Sequence, residues 1–131
     1  MQVLIFKLTD EHFAVETSKV QVINDMMEVT RVPKAPSYIN GLINLRGNII
    51  SLLDINLLLN IEKNLEAEEN IIILNMEDEQ VGICVDEVEE VVEVNEDKLE
   101  TLKDEKSQNY IKGIINFGDK IVTMIDIDKL I

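Results

Sequence analysis

One stretch of this chain occurs twice. Residues 38–59 lie on residues 110–131 without a gap, and nine of the twenty-two positions are identical: Tyr38/Tyr110, Ile39/Ile111, Gly41/Gly113, Ile43/Ile115, Asn44/Asn116, Ile49/Ile121, Asp54/Asp126, Ile55/Ile127 and Leu58/Leu130. Most of the rest exchange one apolar residue for another, which two unrelated segments do not do by chance. Each copy has the pattern of strand, tight turn, strand. The first runs through 41–46, a turn at Gly47-Asn48, and 49–55; the second runs through 113–117, a turn at Gly118-Asp119, and 120–127. Glycine accepts positive φ and Asn or Asp tolerates it, so both pairs suit a hairpin turn.

The segments before each copy also correspond. Residues 2–9 and 12–17 alternate as a hairpin, with Leu4, Phe6 and Leu8 on one face. Residues 70–76 form an almost unbroken Ile/Leu run suited to a strand buried on both faces, and 80–85 is its hairpin partner. Laying 13–20 on 81–88 matches Val20 to Val88, with Asp86 where Ser18 stands. Ser18 is expected to cap a short helix over 19–24, followed by a strand over 26–32 that ends at Pro33. Residues 60–69 read as the link between halves, and 96–109 as a polar loop with a helical turn near Leu99 and Leu102.

The sum is an all-β chain of two pseudo-duplicated five-stranded units. With few helices to cover a sheet, each unit is expected to curl into a small barrel, residues 1–61 forming the first and 62–131 the second. Halves of this size are marginal alone, so a shared interface is expected to carry much of the stability.

Charge and residue types narrow the function. The net charge is -14, and residues 62–106 hold 17 acids against 4 bases. A phosphate backbone is repelled by such a surface, as is anionic lipid, so nucleic-acid binding and direct membrane insertion are not expected, whereas a basic partner surface is. No apolar run reaches the roughly 20 residues that span a bilayer, residues 1–7 lack a signal-peptide pattern, and Cys84 is the single cysteine. The expected compartment is the cytoplasm.

Candidates for chemistry are poor. His12, the single histidine, reads as a solvated turn or edge residue, and Cys84 as inert strand packing. There is no phosphate loop, zinc-protease helix or nucleophile elbow, so no catalytic residue, metal site or cofactor is expected. Asp54 and Asp126 form a matched carboxylate pair of the kind aspartic proteases use, but Ile55-Asn56 and Ile127-Asp128 follow them where small residues are needed. An acidic β-barrel hydrolase is thus the weakest of the readings, and both aspartates read as strand-end or turn-capping groups. Arg46 stands alone before its turn, either pinned by a carboxylate or offered to a partner.

The run Tyr38-Ile39-Asn40-Gly41-Leu42-Ile43-Asn44-Leu45-Arg46-Gly47-Asn48-Ile49-Ile50 followed by Leu53-Asp54-Ile55 resembles the signature of the CheW family of bacterial chemotaxis adaptors, and the flanks at 28–33, 81–91 and 110–113 agree. The resemblance implies two five-stranded SH3-like barrels. It also implies a function without chemistry, in which an adaptor couples the cytoplasmic tip of chemoreceptors to the regulatory domain of the histidine kinase CheA. By matching position, Val20, Gly41 and Arg46 look like the receptor-side residues. The kinase side resembles surface around Val88, Val91 and the turn Gly118, Asp119 and Lys120. One departure is Val22, where the family usually has a glutamate able to pair with Arg46; Asp25 or Glu28 are the substitutes at hand. A CheV-like adaptor fragment or a paralogue is the alternative within the same fold.

Overall fold

A computed structural model describes residues 1–101 and 109–130. The strands in chain order are β1 (Gln2–Leu8), β2 (Glu11–Glu16), β3 (Val20–Asp25), β4 (Ile39–Leu45), β5 (Asn48–Leu53), β6 (Asn70–Asn75), β7 (Gln80–Val85), β8 (Glu87–Glu93), β9 (Leu99–Glu100), β10 (Ile111–Asn116) and β11 (Ile121–Ile125). Two short helices follow the repeated hairpins, α1 (Ile55–Leu59) and α2 (Ile127–Leu130).

These strands form two sheets, ordered β8-β1-β2-β11-β10-β9 and β3-β6-β7-β5-β4. Both curl as SH3-like units do, and neither closes. The expected boundary between residues 61 and 62 does not separate them. Hairpin β1-β2 of the first half sits in a sheet whose other strands come from the second half, and hairpin β6-β7 sits among strands of the first. The chain crosses between the sheets at two short connections: the 3-10 turn Thr17–Lys19 lies between β2 and β3, and Asp86 alone between β7 and β8.

The duplication holds in register. β11 pairs with β2 in parallel through Thr123↔Phe13 and Met124↔Ala14, and β5 pairs with β7 through Ser51↔Val81 and Leu52↔Gly82. Phe13 and Val81 are therefore equivalent, as the sequence match of 13–20 with 81–88 requires. Both repeated hairpins also carry one bulge, between Ile39 and Gly41 and between Ile111 and Gly113.

Three apolar clusters fill the molecule. Leu4, Phe6, Leu8, Phe13 and Val15 of one sheet pack on Ile72, Leu74, Val81 and Ile83 of the other, forming the core between sheets. The opposite faces fill the two curls: Val3, Ile5, Ala14, Val122 and Met124 in one, Ile43, Ile50, Leu52, Ile71 and Ile73 in the other. β1 and β6 are thus buried on both faces, and each fully buried Leu, Ile or Phe contributes about 1.5–3 kcal/mol. Phe6 and Phe13 add a stacked pair with ring centroids 6.0 Å apart.

Local structure departs from expectation before the first repeat. The expected helix over 19–24 is β3, because Val20, Val22 and Asn24 alternate inward and pair with β6. Ser18 and Asp86 cap nothing; Asp86 Oδ2 accepts from Thr9 N at 2.7 Å. Residues 26–32 are irregular apart from one bridge, Thr30 to Leu42. The helical turn expected near Leu99 lies at Glu96–Lys98 instead, and Leu102 falls outside the described residues.

Candidate functional site: two matched sheet ends

Each repeated hairpin ends in a two-residue turn. In the first copy Leu45 pairs with Asn48, so the turn residues are Arg46 and Gly47, at φ 53 and 88, one position earlier than expected. Positive φ at both central residues is the primed geometry that matches strand twist. In the second copy Gly118, at φ 91, occupies the place of Arg46. Asn44 Oδ1 accepts from Gly47 N at 3.0 Å and Asn116 Oδ1 from Gly118 N at 2.8 Å, so these amides hold the turns.

Arg46 is accordingly a turn residue held in a left-handed conformation, which costs an L-residue about 1–2 kcal/mol. Its side chain is exposed and borders a 230 Å³ recess with Gln21, Val22 and Asn24 of β3 and Gln80 of β7. Among the described residues it forms no salt bridge, so neither Asp25 nor Glu28 replaces the family's glutamate. Asn24 lines the same recess, and its buried amide nitrogen has no hydrogen-bond partner among the described residues.

The other two residues of this set are set deeper. Val20 is half-buried against the core between sheets. Gly41 is buried, and a Cβ there would lie 2.4 Å from Thr30 O. Arg46 is therefore brought beside the neighbours of Val20, while Gly41 serves the close approach of residues 29–30.

On the second set the structure is more cohesive. Lys120 Nζ lies 3.3 Å from Glu89 Oε2 and 3.2 Å from Glu90 Oε1, which fastens the turn containing Gly118 and Asp119 to β8. Val91 is 51% exposed on that strand, whereas Val88 packs into the core. Glu89 also bonds His12 Nδ1. His12 is therefore a half-buried member of a charge cluster, not a solvated edge residue. Partial burial pushes Glu89 up, but the hydrogen bonds from His12 and Lys120 outweigh it and hold the carboxyl below its ordinary 4.5. Burial likewise opposes the charge on Lys120, and its bonds to Glu90 and Glu89 raise it above 10.5.

Glu89 and Gln21 are the bulged residues of β8 and β3, so the two sheet ends correspond. At the Arg46 end the cluster is neutral: Gln80 Nε2 donates to Asn75 Oδ1 at 3.1 Å, and Asn75 Nδ2 to Gln21 Oε1 at 2.9 Å. Sequence alone hides these clusters, because their members lie far apart in the chain and only the bulges bring them into line.

The groups considered for chemistry are otherwise engaged. Asp54 caps α1, accepting from Leu57 N at 3.1 Å, and Asp126 Oδ1 accepts from Asp128 N at 3.1 Å. The Cys84 thiol is pushed up to about 12 by burial and by nearby Glu69, so it stays protonated and unreactive.

Comparison with known proteins decides the family. A family model described as a CheW-like domain matches residues 2–131. The chain belongs to the CheW-like family. It is 29% identical to the chemotaxis protein CheW of Thermotoga maritima, over 99% of this chain and 87% of that one. It is 30% identical to the chemotaxis protein CheW of Klebsiella aerogenes, over 98% and 80%. A crystal structure of the scaffolding protein CheW from Thermoanaerobacter tengcongensis superposes with a TM-score of 0.90 at 27% identity, covering 98% of this chain and 86% of that one. The chain is thus a CheW-type chemotaxis adaptor and not an enzyme. Asp54 and Asp126 are its structural caps.

Proposed function

We propose that this adaptor couples chemoreceptors to the histidine kinase CheA, holding the receptor tip and the kinase regulatory domain through protein contacts alone. The observation that carries the reading is the whole-length CheW match combined with two equivalent but differently charged sheet ends. Arg46 at the neutral end is the receptor-side anchor, with Val20 and Gly41 shaping the surface beneath it. Lys120, Gly118, Asp119, Val88 and Val91 at the charged end form the kinase side, β8 and the turn acting as one unit because Lys120 joins them. Strained backbone at an exposed cation that forms no ion pair among the described residues suits a residue kept for a partner. Among the described residues no helix is long and apolar enough to cross a membrane, and the proposed compartment is the cytoplasm. A calorimetric titration with the CheA regulatory domain tests the reading: saturable binding supports it, and its absence removes the kinase arm.

A further inference from the structure

The two sheet ends differ in what their polar groups still lack. At one, Lys120 is met by Glu89 and Glu90. At the other, the groups left over are donors. Gln21 spends its Oε1 on Asn75 and keeps its own NH2. Asn24 Nδ2 is buried with no partner among the described residues, and Arg46 forms no salt bridge among them. All three line the 230 Å³ recess, and none of the residues lining it is acidic.

A buried N–H is costly until something accepts from it, and a guanidinium is matched best by a carboxylate, which takes two of its N–H groups at once. The charge of the surroundings agrees. The five strands of this sheet carry one acid, Asp25, whereas the strands of the other sheet carry seven. In a chain of net charge -14, this is the sheet whose strands repel an incoming anion least. The volume is below the roughly 300 Å³ at which small-molecule pockets begin, and suits a single side chain.

We propose that the recess seats one acidic side chain, Asp or Glu, projecting from a helix of the receptor tip, with Arg46 and the Asn24 amide donating to its carboxylate. Asn24 is thereby a specificity-determining residue that no local motif marks. The inference rests on the receptor-side reading of Arg46 and adds the chemistry of the group received.

The test is calorimetric titration of the full chain with a chemoreceptor-tip helical hairpin in which each Asp or Glu is replaced in turn by Asn or Gln. One replacement is expected to weaken binding by roughly ten-fold or more. In the exposed-turn variant Arg46→Gln the same replacement is expected to cost less than two-fold, because the interaction is already gone. Asn24→Asp places a carboxylate in the recess from within, and is expected to weaken the unmodified hairpin while binding the replaced one equally well. A hairpin that binds but loses less than two-fold at every acidic position overturns the inference and leaves the coupling reading standing. So does a loss that is the same size in Arg46→Gln as in the wild type. A hairpin that does not bind at all overturns both. Arg46→Gln alone decides the matter even if Asn24→Asp fails to fold.

Discussion

Gly41 and Gly113 do the same work in different sheets: a Cβ on the first would sit 2.4 Å from Thr30 O, and on the second 2.5 Å from Glu100 O. Backbone cannot yield as a flexible side chain does, so Gly41→Ala and Gly113→Ala are each expected to cost about 2–3 kcal/mol in urea unfolding. Gly47 has nothing within 4 Å of the same added atom and only its φ of 88 to strain, so Gly47→Ala is expected to cost about 1 kcal/mol. Equal losses at all three positions would remove the steric explanation. A receptor-binding defect in Gly41→Ala is expected to appear together with lost stability.

Arg46 is expected to behave in the opposite way. Replacing it with glycine relieves the left-handed strain, so Arg46→Gly is expected to leave stability unchanged or raise it by up to about 1 kcal/mol. Arg46→Ala keeps the strain and is expected to stay within a few degrees in melting temperature. A large drop in either variant would show that the guanidinium holds the turn.

The residue pattern shows faces more readily than partners. The unbroken run 70–76 says that its strand is buried on both faces, as β6 is, whereas the alternation in residues 2–9 marks one inward face and misses that β1 is buried on both. Period-two patterning carries no information on which strand lies alongside, so the exchange of hairpins between sheets at Thr17–Lys19 and Asp86 is not legible in it. The Arg46 turn fell one residue earlier than expected because arginine is a poor marker of positive φ. Val22 showed in advance that the family's ion pair was missing, but the role of Glu89 as bond partner to His12 and Lys120 depends on a bulge no local signal announces.

That cluster makes stability depend on pH. The folded carboxyl of Glu89 is held below 4.5, so its contribution is present above the unfolded value and is lost as pH falls through the lowered one. Lys120 is raised above 10.5, so its contribution is present below that value and is lost as pH climbs past the raised one. Glu89→Gln is expected to cost about 1–2 kcal/mol at pH 7, the pair being largely shielded from water. The difference between wild type and variant in urea midpoint is expected to shrink below pH 4.5 and to be lost in strong acid. A difference that is constant from pH 3 to 7 would mean the carboxylate charge plays no part.

Asp54 offers a test that separates capping from catalysis. Asparagine caps a helix as well as aspartate, so Asp54→Asn is expected to be nearly neutral while Asp54→Ala loses about 1 kcal/mol in thermal unfolding. Equal destabilisation by both would point to a role for the charge itself.

The coupling claim is tested most directly by titrating the chain, in parallel, with the CheA regulatory domain and with a receptor-tip helical hairpin. Both are predicted to bind, with Arg46→Ala weakening the receptor tip alone and Lys120→Glu weakening the kinase domain alone. Absence of binding to both partners, or the same loss of both in each variant, would contradict an adaptor with two separate docking ends.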